Sequence, residues 1–134
     1  MATIESIYIG ELSTEAKHLK SGSIIYTDAP IDNMGKGQTF SPTDLLTASL
    51  GSCMLTLMGI AAQSRAIDIK GTSISITKIM GANPRRVTEI IIEIFMAKLD
   101  YSVEEKNILE YAAINCPVAK SLHPDLIQSL VFKY

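Results

Sequence analysis

The two cysteines are the side chains best suited to covalent chemistry in this chain. Cys53 and Cys116 are its only thiols, and neither belongs to a Cys-x-x-Cys pair. Two thiols are too few for a disulfide-stapled scaffold, and a core of this size does not need one. No metal site is expected, because His18 and His123 have no ligand-like partner nearby in the sequence. The remaining possibilities are redox chemistry at the thiols or simple burial of both.

Each cysteine lies in a segment that indicates a different environment. Cys53 is in the middle of a helical pattern, on its apolar stripe, where a cysteine usually packs as a small hydrophobic residue. Cys116 directly precedes Pro117, so it takes the position that caps a helix, where free N–H groups and the helix dipole favour a thiolate. A cysteine there can also serve only as a substitute cap. From position alone, a redox role and core packing both stay open.

Composition narrows the class of protein. The chain has 134 residues, a net charge of −2, 47% hydrophobic and 19% charged residues, and a mean hydropathy of +0.23. This length predicts one domain over residues 1–134, and so apolar a chain is not disordered. A net charge of −2 gives no sign of the basic surface that binds DNA or RNA, so no nucleic-acid partner is expected. The low charged fraction indicates that another subunit covers part of the apolar surface.

One uncharged run raises the question of a membrane. Residues 45–62 carry no charge, and their length is that of a candidate span. The run contains several small and hydroxyl residues, and no basic anchors flank it, so we interpret it as a buried helix and expect no membrane partner. Residues 1–6 lack the basic and apolar regions of a signal peptide. The expected location is therefore the cytoplasm.

The pattern of apolar residues and turn residues predicts a mixed α+β fold. Strands are predicted at residues 3–10, 16–20, 23–27, 67–80, 86–99 and 127–134. Helices are predicted at residues 42–64, 102–115 and 116–122. Ser21 and Gly22 suit a hairpin turn between the second and third strands. Strands and helices in this mixed order are typical of an α+β domain.

Helical periodicity also predicts which faces are buried. Ser41, Pro42 and Asp44 form a clear start for the first helix, with a Ser-x-x-Asp capping box. Its predicted apolar stripe is Leu46, Leu50, Cys53, Leu57, Ile60 and Ala61, and its predicted small face is Ala48, Gly51, Ser52, Gly59 and Ala62. A helix without a polar face is expected to be buried on all sides. The second helix is expected to turn inward Ile108, Leu109, Tyr111, Ala112 and Ile114. The fifth strand is expected to bury Ile90, Ile92, Ile94 and Met96.

The segments around the cysteines resemble those of the OsmC/Ohr family. Residues 40–54, FSPTDLLTASLGSCM, resemble the helix that carries the family's first cysteine, and residues 115–122, NCPVAKSL, resemble its second-cysteine segment. Residues 27–33 and 35–37 are similar to an OsmC-like subgroup. The resemblance covers nearly the whole chain in the right order, and the two cysteine motifs together are specific.

This resemblance implies a fold and an activity. The implied fold is α+β, with antiparallel sheets around central helices in an intertwined homodimer whose thiol pockets lie at the interface. The implied activity is thiol-dependent reduction of peroxides, organic hydroperoxides above all, in defence against oxidative stress. Cys53 matches the peroxidatic cysteine and Cys116 the resolving cysteine, with an external dithiol as reductant. No cofactor is expected.

Two positions depart from the family pattern. Well-studied members pair the first cysteine with an arginine from the N-terminal sheet and a glutamate early in the cysteine helix. This chain has Ser13 or Thr14 in the region of the arginine, and Thr43, followed by Asp44, at the position of the glutamate. Ser13, Thr43 and Asp44 are therefore the candidate residues of the substrate pocket. The alternative function is a catalytically weak or inactive OsmC-like module that binds a small apolar ligand at the dimer interface.

Overall fold

Six strands and three helices follow one another in the predicted order. The strands are β1 (Ile4–Gly10), β2 (Ser13–His18), β3 (Ile24–Asp28), β4 (Ser73–Gly81), β5 (Arg86–Phe95) and β6 (Ile127–Lys133). The helices are α1 (Pro42–Gln63), α2 (Val103–Ile114) and α3 (Pro117–Ser121). The computed structural model describes residues 1–134, which group into two units, residues 1–46 and residues 47–134. The α+β class predicted from the sequence is confirmed.

The first unit, residues 1–46, is built on an antiparallel sheet of order β1-β2-β3. A hairpin turn joins β2 and β3 as predicted, but it is longer than the two residues Ser21 and Gly22, because β2 ends at His18 and β3 begins at Ile24. Gly22 has a φ of +78°, and its N–H donates to the carbonyl of His18 at 2.8 Å. Both faces of this sheet carry exposed apolar side chains. Ile7 is 61% exposed and its neighbour Tyr8, on the opposite face, 63%.

The second unit, residues 47–134, contains a sheet of order β4-β5-β6. β4 and β5 pair antiparallel, but β6 runs parallel to β5, so the expectation of purely antiparallel sheets is wrong for this sheet. The reason is the connection: α2 and α3 form a crossover that returns the chain to the same end of the sheet. The face of β5 predicted to be buried is confirmed, as Ile90, Ile92 and Ile94 are fully buried and Met96 nearly so. β4 is shorter than predicted and begins only at Ser73.

Helix α1 buries a different face from the predicted one. Its buried residues are Thr47, Leu50, Gly51, Met54, Met58 and Ala62. Ile60 of the predicted stripe is 59% exposed and Leu46 is also exposed, so burial on all sides is wrong for the single chain. Gly51 of the predicted small face does permit close packing, because a Cβ there would lie 2.6 Å from Ile76 Cδ1. The buried face is thus set by the sheet residues that pack against Gly51.

By length and composition alone, α1 is apolar enough to cross a membrane. One helix of this kind is weak evidence for a span, because the core helix of a globular protein satisfies the same criteria. About a third of its most apolar stretch, 33%, is buried within the chain.

Helix α2 begins as predicted and packs through a narrower face than predicted. Ser102 and Glu105 form a complete capping box at its start. Leu109 and Ala113 are its buried residues, whereas Tyr111 is 71% exposed and Ile114 is exposed as well. The prediction turned too many sides of the helix inward. Only Leu109 and Ala113, which are four residues apart and so lie on one side of the helix, are buried in the core.

Candidate redox site

Helix α1 places Cys53 at the edge of the core of residues 47–134. The thiol-bearing residue is half-buried and packs against the fully buried cluster that includes Leu50 and Met54. Cys53 lies between the exposed Ser52 and the buried Met54, so its side chain lies at the side of the buried face. A half-buried cysteine is more accessible to a small reagent than a fully buried one.

Cys116 is fully buried and caps α3, as the sequence predicts. Its Sγ accepts a hydrogen bond from the backbone N–H of Ala119 at 3.4 Å, and Pro117 occupies the first helical position. Burial is nevertheless the largest influence on this thiol, and it raises the pKa of Cys116 above its ordinary value of 9.0. The Ala119 N–H acts in the opposite direction. The N–H groups at the cap favour the thiolate as expected, but desolvation outweighs them, so the pKa of Cys116 is raised overall.

The structure brings the two cysteines into direct contact. The Cys53 side chain lies close enough to Cys116 to raise the pKa of its thiol further. Both are free thiols. Two thiols in contact can close to a disulfide once one of them has been oxidised, since sulfenic acids condense with a neighbouring thiol. The pairing of an accessible with an inaccessible thiol is thus the central chemical feature of this site.

Ser13 lies in the first unit and has a local partner. It is almost fully buried at the start of β2, where its hydroxyl donates to the Asp28 carboxylate. Asp28 also accepts the backbone N–H of Gln38 at 3.0 Å, and the bond from Ser13 is the main cause of its lowered pKa. The Ser13 hydroxyl therefore helps to fasten the loop that follows β3.

Thr43 and Asp44 lie in the first turn of α1, also within the first unit. The Oγ1 of Thr43 is 3.2 Å from the Oγ of Ser41. Asp44 completes the predicted capping box: its N–H donates to Ser41 Oγ and its carboxylate accepts the Ser41 N–H, both at 3.0 Å. The Asp44 carboxylate thus has a structural function at the helix start.

One residue near the thiols was not singled out from the sequence. Gln128 of β6 donates from its Nε2 to the carbonyl oxygen of Ala119 at 3.1 Å, in the short helix that Cys116 caps. A glutamine in an alternating strand pattern gives no sign of such a contact. The parallel pairing of β6 with β5 is what brings it to α3, and that pairing could not be read from local sequence.

Comparisons with known proteins agree with this fold. A model of the OsmC-like protein family matches residues 35–128. A search of curated proteins found no significant match. A solved structure from Psychrobacter arcticus 273-4, whose name refers to osmotic stress induction and a detoxification response, is 49% identical with a TM-score of 0.94, covering 98% of this chain and 96% of that chain.

Two more distant structures share the fold. An organic hydroperoxide resistance protein OsmC from Legionella pneumophila is 14% identical with a TM-score of 0.78, covering 100% of this chain and 98% of that one. An organic hydroperoxide resistance protein from Elizabethkingia anophelis is 16% identical with a TM-score of 0.74, covering 99% and 96%. At these identities the likeness concerns the fold.

Proposed function

The chain belongs to the OsmC-like protein family, and on this basis we propose that it is a thiol-dependent reductase of organic hydroperoxides. The observation that carries the proposal is the contact between a half-buried and a fully buried free thiol, Cys53 and Cys116. Relatives of the same fold that are named organic hydroperoxide resistance proteins support the substrate class. The proposed setting is defence against oxidative stress in the cytoplasm.

The different exposure of the two cysteines supports different proposed roles. The sulfur of Cys53 attacks the peroxide, the O–O bond breaks, and the products are a Cys53 sulfenic acid and an alcohol. The Cys116 thiol then attacks the Cys53 sulfur, which forms the disulfide and releases water. An external dithiol reduces that disulfide to two thiols and is itself oxidised. The peroxide needs to reach only Cys53, and Cys53 is the accessible thiol of the pair.

The proposed working form is an intertwined homodimer in which residues 1–134 act as one domain. Apolar side chains on both faces of the β1-β2-β3 sheet are exposed in the single chain, and so are Leu46 and Ile60 of α1. Apolar patches of this extent are typical of surfaces that another protein covers. A thiol pocket walled by a second subunit would be apolar, which suits organic hydroperoxides better than hydrogen peroxide.

The test is oxidation by cumene hydroperoxide at an equimolar ratio, followed by mass spectrometry of the intact chain and its peptides. We expect a single intramolecular Cys53–Cys116 disulfide in the wild type. Cys116→Ser should instead retain Cys53 as a sulfenic acid that dimedone traps. With a dithiol reductant, Cys53→Ser should consume peroxide at least about 100-fold more slowly than the wild type. A Cys53 thiol that stays free after equimolar peroxide would refute the proposal.

A second candidate function is a weak or inactive module that binds a small apolar ligand. Ser13 and Thr43 stand where the family pattern has an arginine and a glutamate, and the Asp44 carboxylate belongs to the capping box. These side chains do not supply the cation that would stabilise a reactive thiolate. This candidate predicts equal peroxide consumption by the wild type and Cys53→Ser, together with a small apolar molecule retained in native mass spectrometry.

A further inference from the structure

Strand β6 directs one polar side chain to the helix that Cys116 caps. Gln128 lies opposite Ile90 in the parallel pairing of β6 with β5, and it is half-buried. Its Nε2 donates to the carbonyl oxygen of Ala119 at 3.1 Å. Gln128 therefore connects α3 to β6, the edge strand that pairs with β5, through a side-chain hydrogen bond.

The short length of α3 explains why this bond matters. A helix leaves its last four carbonyl groups without partners in the helix, and α3 has only five residues. The Cys116 carbonyl accepts the Lys120 N–H at 3.1 Å, and the Pro117 carbonyl accepts the Ser121 hydroxyl at 2.8 Å. Ala119 lies further along and is buried, so its carbonyl has little access to water. Gln128 supplies the donor that this carbonyl requires.

The residue that Gln128 holds also contacts the buried thiol. The Ala119 N–H donates to Cys116 Sγ at 3.4 Å, so one residue receives the Gln128 bond at its carbonyl and gives a bond to the thiol at its N–H. We propose that Gln128 is a positioning residue that keeps Cys116 aligned with Cys53 for disulfide closure. The biological meaning of this assignment rests on the proposed function. The alignment itself can be measured without a peroxide.

The experiment uses Ellman's reagent, an aromatic disulfide that reports two successive steps. Cys53 attacks the reagent, forms a mixed disulfide and releases one thionitrobenzoate. Cys116 then attacks the Cys53 sulfur, which forms the Cys53–Cys116 disulfide and releases a second thionitrobenzoate. Stopped-flow absorbance resolves both releases. The second release measures the alignment of Cys116, and the first serves as an internal reference for the accessibility of Cys53.

Gln128→Leu keeps the bulk of the side chain and removes the hydrogen-bond donor. In this variant we expect the second release of thionitrobenzoate to slow about tenfold, while the rate of the first release stays within about twofold of the wild-type rate. Gln128→Lys retains a donor of similar reach and should close at nearly the wild-type rate. Ser129→Ala is the matched control. Ser129 lies next to Gln128 on β6, and the substitution removes the 2.7 Å hydrogen bond from its hydroxyl to the Glu89 carboxylate without changing a contact to α3. The Ser129→Ala variant should close as fast as the wild type.

Two results would overturn the assignment. One is closure in Gln128→Leu within twofold of the wild-type rate, and the other is equal slowing in Ser129→Ala, which would indicate general loosening of β6. If Gln128→Leu does not fold, Gln128→Asn replaces it, since its shorter side chain keeps the amide but cannot reach Ala119; it should close slowly. A wild type that closes with Ellman's reagent but ignores cumene hydroperoxide would refute the reductase and leave the role of Gln128 intact.

Discussion

At the scale of single residues, the two thiols differ mainly in their access to water. The sequence correctly places Cys116 at a helix cap, because Cys-Pro before a short helical pattern is a local feature. It does not predict that desolvation governs the pKa of this thiol, because the buried surroundings come from residues distant in the chain. The contact between Cys116 and Cys53 is non-local in the same way. Local sequence thus indicates where a thiol lies on its element but not how strongly it is ionised.

The raised pKa of Cys116 predicts the pH dependence of disulfide closure. Closure requires the Cys116 thiolate, and below the pKa its fraction rises about tenfold with each pH unit. Since burial raises this pKa above 9.0, the second thionitrobenzoate release should keep accelerating through pH 9 without levelling off. The measurement is the stopped-flow rate from pH 7 to pH 10.

The control for this profile is the chain unfolded in guanidinium chloride, where the Cys116 thiol regains its ordinary pKa. There the rate should level off near pH 9. A plateau below pH 9 in the folded protein would contradict the prediction, because it would mean that the Ala119 N–H and the helix terminus outweigh burial.

At the scale of elements, the sequence predicts that α1 exists and where it begins, but not which of its faces is buried. Its start depends on Ser41, Pro42 and Asp44, which act locally, and these positions are confirmed. Its buried face depends on the sheet. Because nearly every side of the helix is apolar or small, periodicity cannot distinguish one face from another, and Met54 and Met58 were not predicted as core residues. The direction of β6 depends likewise on a crossover rather than on its own sequence.

The packing of α1 predicts opposite effects of the same substitution at two glycines. In Gly51→Ala the new Cβ meets the ends of Ile74 and Ile76, and we expect a loss of about 1–3 kcal/mol in the free energy of unfolding. In Gly59→Ala the Cβ meets nothing within 4 Å in this chain, so higher helix propensity should give a gain of about 0.5–1 kcal/mol. Urea denaturation followed by circular dichroism measures both.

A double-mutant cycle separates the steric effect from other consequences of Gly51→Ala. Ile74→Val removes the Cδ1 atom that the new methyl group meets, so Gly51→Ala should cost less in the Ile74→Val background than in the wild type. Additive losses would contradict the packing explanation.

At the scale of the whole molecule, the apolar composition and the exposed surfaces of the chain point to the same explanation. A charged fraction of 19% indicates burial against another subunit, and most of the exposed large apolar residues lie in strands and helices. The sheet β1-β2-β3 exposes Ile7 on one face and Tyr8 on the other. A chain with this surface would aggregate or associate, and symmetric association of two copies is the commonest outcome.

The proposed homodimer predicts a mass of about twice 14.6 kDa in sedimentation equilibrium at micromolar concentration. Ile7→Lys places a charge in an exposed apolar face, and if that face is covered by the second subunit, the dimer should dissociate with a Kd raised about tenfold or more. Glu5→Lys changes the charge on the same face without removing apolar surface, so it should weaken the dimer less. A wild-type monomer at every concentration would exclude a thiol pocket formed between subunits, and Cys53 would then meet its peroxide at an open surface.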